Sequence, residues 1–474
     1  MQWLKNRISN WLSINEHRQS MHIIEDTSLE TEIFRNFIWY RGSISELSQL
    51  YSQSSDYINS NSFWSLSSRN SKIRKMHSGL PSLIVDTISS ITSGDINSVN
   101  IFNKKAEEIW NKINKSNNFI NIIKSATTQA LYLGDGAFKI SMDLSISKEP
   151  IIEFYGADKV RYEHKRGRIS KIIFLKDIIF EKQTFVLEEI YSLDSIEYQL
   201  LDKSGSSVAL YTLDETKDLE RFENTTGVWL AYPLIFDNNP RFFGRGKSIF
   251  DGKLAIFDAL DEILSQWVDA MRDGRVQKYI PIGLLPRNRD TGAAISLSEF
   301  DSRFVQTEMD LTEGAENQIR VVQPLIDINA LQASTSNFIE LALQGILAPA
   351  SLGIDLKRRD NAEAQREKEK ATLYTRAKII EILRNTIESV VYASILVYSN
   401  YNKIDLEEFS INVEFGEYAT PSFDSQVDVI SKAVQNNIMS IDTAIEELYG
   451  NSWDIEKKKK EKERIKNERR ISKL

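Results

Sequence analysis

Two stretches of this 474-residue sequence carry side chains whose type and spacing could do chemistry. The first is Gly244-Arg245-Gly246-Lys247-Ser248, which follows the apolar run Leu234-Ile235-Phe236 and precedes a helical pattern. A P-loop uses backbone amides and a lysine to cradle phosphates, and its first glycine stands five residues before the second. That spacing falls on Arg241, and no apolar run ending in aspartate offers a magnesium-holding partner. A glycine hinge leading into a helix fits the spacing better. A nucleotide-binding enzyme using Gly246-Lys247-Ser248 is the alternative from another class.

The second stretch is acidic. Between Ser248 and Arg275, the residues Asp258, Asp261, Glu262, Ser265, Asp269 and Asp273 fall opposite an apolar stripe of Leu254, Phe257, Leu260, Ile263, Leu264, Trp267, Val268 and Met271. Clustered carboxylates can hold metals or move protons. Here no histidine is close, because His17, His22, His77 and His164 are scattered. The strip reads as a solvated helix face or as the wall of a channel. No nucleophile elbow is visible, Gly134-Asp135-Gly136 reads as a helix-to-strand turn, and Trp39, Trp64, Trp110 and Trp267 read as core or interface residues. Nothing asks for catalysis, so no enzyme activity, cofactor or metal is expected.

The elements that must position these groups belong to a chain that is 41% hydrophobic and 27% charged, enough for a substantial core and two to four domains. Its formal net charge of -8 does not suit a protein that coats DNA through cationic surface. With no cysteine, disulfides and thiolate chemistry are excluded, as suits a reducing cytoplasm. Met1 to Ser20 mixes charge with its apolar residues unlike a signal peptide, and Val390 to Tyr398 is too short to span a bilayer, so no membrane partner is expected.

Periodicity predicts helix from Leu29 to about Asn111, with a polar loop from Ser52 to Ser62, and one helix over Ala106 to Leu133. Short strands are expected at 138–142, 151–155, 169–175, 185–191, 197–201 and 207–210. After a Pro/Gly linker, a long helix should run from Ser248, its N-cap, to Arg275. A compact insert fills 277–325, with Ile319 to Val322 as a strand. A second helix spans Asp327 to Leu347 and breaks at Ala348-Pro349-Ala350, where proline cannot donate a helical N–H. A third helix lasts to about Ser399, with a strand at 410–415 and short helices from Asp424 to Gly450. The tail from Glu456 holds ten Lys or Arg against four Glu, about +6, which leaves residues 1–455 near -14 (-8 minus +6).

This order resembles the tailed-bacteriophage portal family. The wording Trp229 to Asn239, then Gly244-Arg245-Gly246-Lys247-Ser248-Ile249-Phe250 and Ile256 to Glu262, is similar to that family's entry into its first stem helix. Ala348-Pro349-Ala350-Ser351-Leu352-Gly353-Ile354-Asp355 resembles its channel loop, and Asn437 to Gly450 its helical crown. The likeness extends over most of residues 60–450. It implies an α+β, portal-type fold: an α/β wing (1–247, helical then β-rich), a first stem helix (248–276), a small α/β clip (277–325) and a second stem helix (326–347). A channel loop (348–361), a long kinked helix with a strand returning to the wing (362–421) and a crown with a basic tail (422–474) would follow.

Function is implied by the same resemblance. The chain would form a cyclic homo-oligomer, typically a dodecamer, at one vertex of the virion, after assembly in the host cytoplasm. Double-stranded DNA would pass through it during packaging and ejection. Its partners would be the terminase large subunit, a head-completion or adaptor protein, and the major capsid and scaffolding proteins. Asp258, Asp261, Glu262, Asp269 and Asp273 would line the channel, repelling phosphates so that the duplex slides. Pro349, Ser351, Gly353, Lys357, Arg358 and Arg359 would form the mobile loop, and Arg287, Arg289, Glu299 and Arg303 the clip contacts. Another capsid or tail structural protein is the remaining alternative.

Overall fold

The computed structural model describes residues 28–53, 62–65, 73–281, 304–307, 319–354, 362–416, 423–436, 438–449, 453 and 455–471. It divides into two units, residues 1–414 and 415–474. The chain is α+β, as the sequence pattern predicts.

The first unit opens with helices α1 (Leu29–Arg41) and α2 (Ile44–Gln53). The Ser28 hydroxyl caps α1 by accepting the Thr31 N–H, and Gly42 ends it in the left-handed conformation at φ 65°. After α3 (Leu80–Thr92) and strand β1 (Ile96–Ile101) come α4 (Lys104–Asn117) and α5 (Phe119–Leu133). A single helix was expected over the last two. The intervening Asn118, at φ 51°, breaks it, because asparagine tolerates the left-handed region that most side chains avoid.

Strands β2 (Asp135–Ser141), β3 (Ile151–Gly156) and β10 (Ala231–Ile235) form an antiparallel sheet in the order β10-β2-β3. A larger sheet takes β4 (Val160–Lys165), β5 (Arg168–Phe180), β6 (Gln183–Tyr191), β7 (Ser195–Leu201) and β8 (Ser207–Val208) in sequential order, with β9 (Phe222–Glu223) also paired to β7. Phe174, Tyr191, Ile172 and Val160 pack from this sheet against Ala137, Leu230 and Ala231 to make one core cluster. The strands β1 and β4 were not foreseen. β1 pairs with β14 (Ile411–Phe415), a partner remote in sequence.

From this body leads α6 (Leu254–Asp273), followed by β11 (Gln277–Pro281), β12 (Phe304–Thr307), β13 (Arg320–Val322) and α7 (Ile328–Leu343). The expected first helix is thus shorter at its start, about 30 Å long at 1.5 Å per residue. β11 pairs parallel with β12 and antiparallel with β13. α7 packs along α6, yet of its described side chains only Ala342 and Leu343 are buried. A short 3-10 turn, Pro349–Leu352, then precedes α8 (Ala362–Asn402). α8 buries Leu383, Ile387, Val390, Val391 and Ile395.

The second unit holds α9 (Phe423–Gln435), α10 (Ile441–Tyr449) and α11 (Ile455–Ile471). Lys458 pairs with Glu446 at 2.7 Å and Lys462 with Asp442, fixing the basic helix against α10.

Candidate functional site

The glycine-rich turn before α6 is built inward. Arg245 is buried and grips the buried Asp135 carboxylate through Nε to Oδ2 and Nη2 to Oδ1, each 2.9 Å. Two further N–H groups reach the carbonyls of Val160 and Ala157, both at 2.9 Å. The Gly246 N–H donates to Asp135 Oδ2 at 2.6 Å. A Cβ on Gly246 would stand 2.1 Å from the Gly134 carbonyl oxygen, so the two turns touch backbone to backbone. The two glycine motifs singled out in the sequence are halves of one clasp.

This arrangement also removes the phosphate-cradling option. The Lys247 N–H donates to the Asp237 carbonyl at 2.8 Å and that of Ile249 to the Leu131 carbonyl at 2.9 Å. The Ser248 hydroxyl donates to the Tyr132 carbonyl at 2.7 Å and accepts the Phe250 N–H at 3.1 Å. Ser248 is therefore no N-cap, and α6 begins six residues later. The amides of Gly246, Lys247, Ile249 and Phe250 are thus engaged by protein acceptors and not free for a phosphate.

The five acids assigned to α6 divide. Asp258 accepts the backbone N–H groups of Phe63 and Trp64 at 2.8 and 3.2 Å. Burial pushes its carboxyl above the usual range, and those two donors pull it partly back. Asp261 has no exposed surface. It accepts from Trp64 Nε1 at 3.2 Å and Ser78 N–H at 2.8 Å, and lies 2.7 Å from His77 Nδ1. The buried Ser265 hydroxyl accepts the Met76 N–H at 2.9 Å and donates to the Asp261 carbonyl at 2.7 Å. Within this subunit Asp261 lines no open surface, contrary to its assignment to a channel wall.

The reason is a segment at 62–65 and 73–79 that carries backbone donors and aromatic rings but takes part in no sheet. It needs buried acceptors, and α6 supplies them. Trp39 packs on Phe257 and His77, with ring centroids 6.0 and 5.8 Å apart, and seals the strap from above. The expected polar face is thus a packed face along its first turns. Glu262 and Asp269 are partly exposed. Asp273 lies in α6 with its side chain outside the described residues.

Pro349, Ser351 and Gly353 form a turn tied to α8 by hydrogen bonds. Ala348 N–H donates to Thr372 Oγ1 at 2.9 Å, Ser351 Oγ lies 2.8 Å from the same oxygen, and Thr375 donates to the Ile346 carbonyl at 2.7 Å. Gly353 closes the turn at φ 70°. Lys357, Arg358 and Arg359 lie outside the described residues, as do Arg287, Arg289, Glu299 and Arg303. At the other end of the joint, Lys253 Nζ donates to the carbonyls of Leu341 and Gln344, each at 2.9 Å, closing the C-terminus of α7 from the start of α6.

Three further groups escaped the sequence reading. Lys139, 5% exposed, contacts Glu153 at 3.0 Å, Glu189 at 3.2 Å and the Tyr155 hydroxyl at 3.2 Å. Burial alone would lower its pKa, but the two carboxylates outweigh it and hold the ammonium charged. Asp251 is pushed up to about 6 by burial and by Glu32 nearby. Thr372 is fully buried. A lysine inside the strand pattern Phe138-Lys139-Ile140 was the one available signal. Among the described residues no cluster of metal-binding side chains is present, and no helix is long and apolar enough to cross a membrane.

No protein-family model matches the sequence, and no curated protein does either. Among solved structures, the chain is similar to one in the virion of a native gene transfer agent (GTA) particle and one in the neck of an empty GTA particle with C6 symmetry. Each overlaps with a TM-score of 0.42 at 12% identity, over 78% of this chain and 89% of the other. A chain in the neck of a native GTA particle with C12 symmetry overlaps at 0.40 and 11% identity, with the same coverage. Overlap of this degree leaves the functional reading to the chain's own geometry.

Proposed function

We propose that this chain is a phage portal subunit, which assembles into a dodecameric ring at a capsid vertex of the virion and lets double-stranded DNA through during packaging and ejection. One observation carries the reading. The helix pair α6–α7 is joined at one end by a small three-stranded sheet and at the other, through a proline-glycine turn, to the 41-residue α8. This succession supports the reading, because the sequence resemblance implies two stem helices, a clip and a long helix in turn. A helix such as α7, with so few buried side chains in one subunit, has surface to pack against a neighbour.

DNA handling would rest on weak adhesion. Glu262 and Asp269 remain on the open side of α6, where repeated copies would repel phosphates instead of binding them. Docking of the terminase large subunit and a head-completion protein to the 277–325 region, and contacts with major capsid and scaffolding proteins, belong to the same proposal. Packaging energy would come from the separate motor.

Electron micrographs of the purified full chain test the reading. Rings with a central opening of duplex width are expected, whereas monomers or flat sheets at assembly concentrations overturn it. The nucleotide-enzyme alternative predicts ATP binding that Lys247→Ala abolishes. With the amides of that turn engaged, no ATP binding is expected.

A further inference from the structure

A groove of about 450 Å³ lies between α1, the end of α5 and the edge strand β4. Its apolar lining includes Ile33, Phe34, Phe37, Tyr132, Leu133 and Leu175. Phe34 is 57% exposed although it stands on the wall of this concavity, an arrangement that leaves an aromatic face open to a partner.

The charges around the groove are not balanced. Of its two arginines, Arg245 is consumed by Asp135, and Arg161 is paired with Glu188 at 3.1 Å. Its two acids, Glu30 and Asp158, are exposed, and no ion pair engages either among the described residues. The Glu30 backbone amide and the Ser28 hydroxyl, helped by the nearby Arg161 and Arg245 charges, hold the Glu30 carboxyl below its usual range. Phe37 already receives one cation, the Arg41 guanidinium lying 5.5 Å from its ring centre. An apolar floor with an unpaired acidic rim selects against acidic and purely polar occupants.

We propose that this groove docks a short segment of a partner polypeptide in which an aromatic or aliphatic anchor is flanked by lysine or arginine. The volume suits one or two large side chains, not a whole helix, so the anchor would supply most of the binding and the flanking bases the orientation. The inference does not depend on the portal reading, since it concerns the α1 face and not the α6–α7 pair.

The test uses the full chain and two synthetic probes: a capped decapeptide of tryptophan, leucine and lysine, and its twin with glutamate in place of lysine. Titration calorimetry at physiological salt is expected to give micromolar binding of the basic probe and at least about tenfold weaker binding of its twin. Phe34→Ser, at a side chain more than half exposed, should weaken the basic probe about tenfold. Leu144→Ser, at another exposed apolar residue, should leave it unchanged. Equal binding of the two probes, equal loss in both variants, or no binding at all overturns the proposal, because each points to diffuse attraction by an acidic surface or to a closed groove. Ring formation in micrographs is read separately, so failure here leaves the portal proposal standing.

Discussion

Arg245 and Asp135, separated by 110 residues, meet in a buried bidentate pair that closes the turn before α6 onto the start of β2. Neither charge has an alternative partner of opposite sign in the clasp, so removing one strands the other in a dry site. Asp135→Asn and Arg245→Met should each destabilise the fold by about 3–5 kcal/mol, and the double variant by clearly less than their sum. Denaturant unfolding of all four forms checks this. Additive losses would mean that the guanidinium is held mainly by the Val160 and Ala157 carbonyls.

Asp261 and Glu262 are neighbours on α6 with opposite expected sensitivities. Asp261 serves Trp64 and Ser78, from the segments 62–65 and 73–79, as well as His77, so Asp261→Asn puts an amide donor among donors and should cost about 2–4 kcal/mol. Glu262→Gln and Asp269→Asn, on the more open side, should stay within about 0.5 kcal/mol. If instead Glu262→Gln unfolded the chain and Asp261→Asn did not, the buried face of α6 would be wrongly placed.

The acidic strip shows what was legible in the sequence and what was not. Period alone located α6, α7, α8 and most of the sheet, because their apolar spacing is local. It could not tell that the polar side of α6 faces protein, since the donors that need Asp261 lie about 184 residues earlier in an irregular segment without periodicity. The two glycine motifs were visible, yet their pairing was not, because nothing local says that Arg245 points inward. Asn118 splits a helix whose apolar spacing runs on across it, and β1 finds its partner β14 only in the folded chain. Thr372 gave no signal at all, being one hydroxyl on a helix face otherwise read as apolar.

Asp251 predicts an unusual pH response. Its folded pKa, about 6, lies above the ordinary aspartate value of 3.8, so the folded state binds the proton more tightly than the unfolded chain. Its contribution to stability is therefore full below about pH 4, and is lost as pH rises toward 6. At pH 7 the buried charge is a net cost on the order of 2 kcal/mol, so Asp251→Asn should raise Tm there. The gain should shrink on acidification and vanish near pH 4. A pH-independent difference between the two Tm curves would assign the effect to packing and not to the proton.

Thr372 should control the turn between α7 and α8 more than it controls the fold. Its hydroxyl accepts the Ala348 N–H and shares a hydrogen bond with the Ser351 hydroxyl, and its buried position leaves no water to replace it. Thr372→Val keeps the shape and removes the acceptor, leaving a buried N–H unsatisfied at about 1–3 kcal/mol. Much of that cost should appear locally, because the turn can open without unpacking α8, whose core contacts at Leu383 and Ile387 lie three to four turns further on. Hydrogen exchange then distinguishes the two outcomes. The Ala348 amide should lose about tenfold or more of its protection while the amides around Leu383 keep theirs. Ser389→Ala, which removes an exposed hydroxyl on the same helix, should alter neither. If Thr372→Val lowered protection throughout α8, the threonine would be a core residue of that helix and the turn would owe its order to something else.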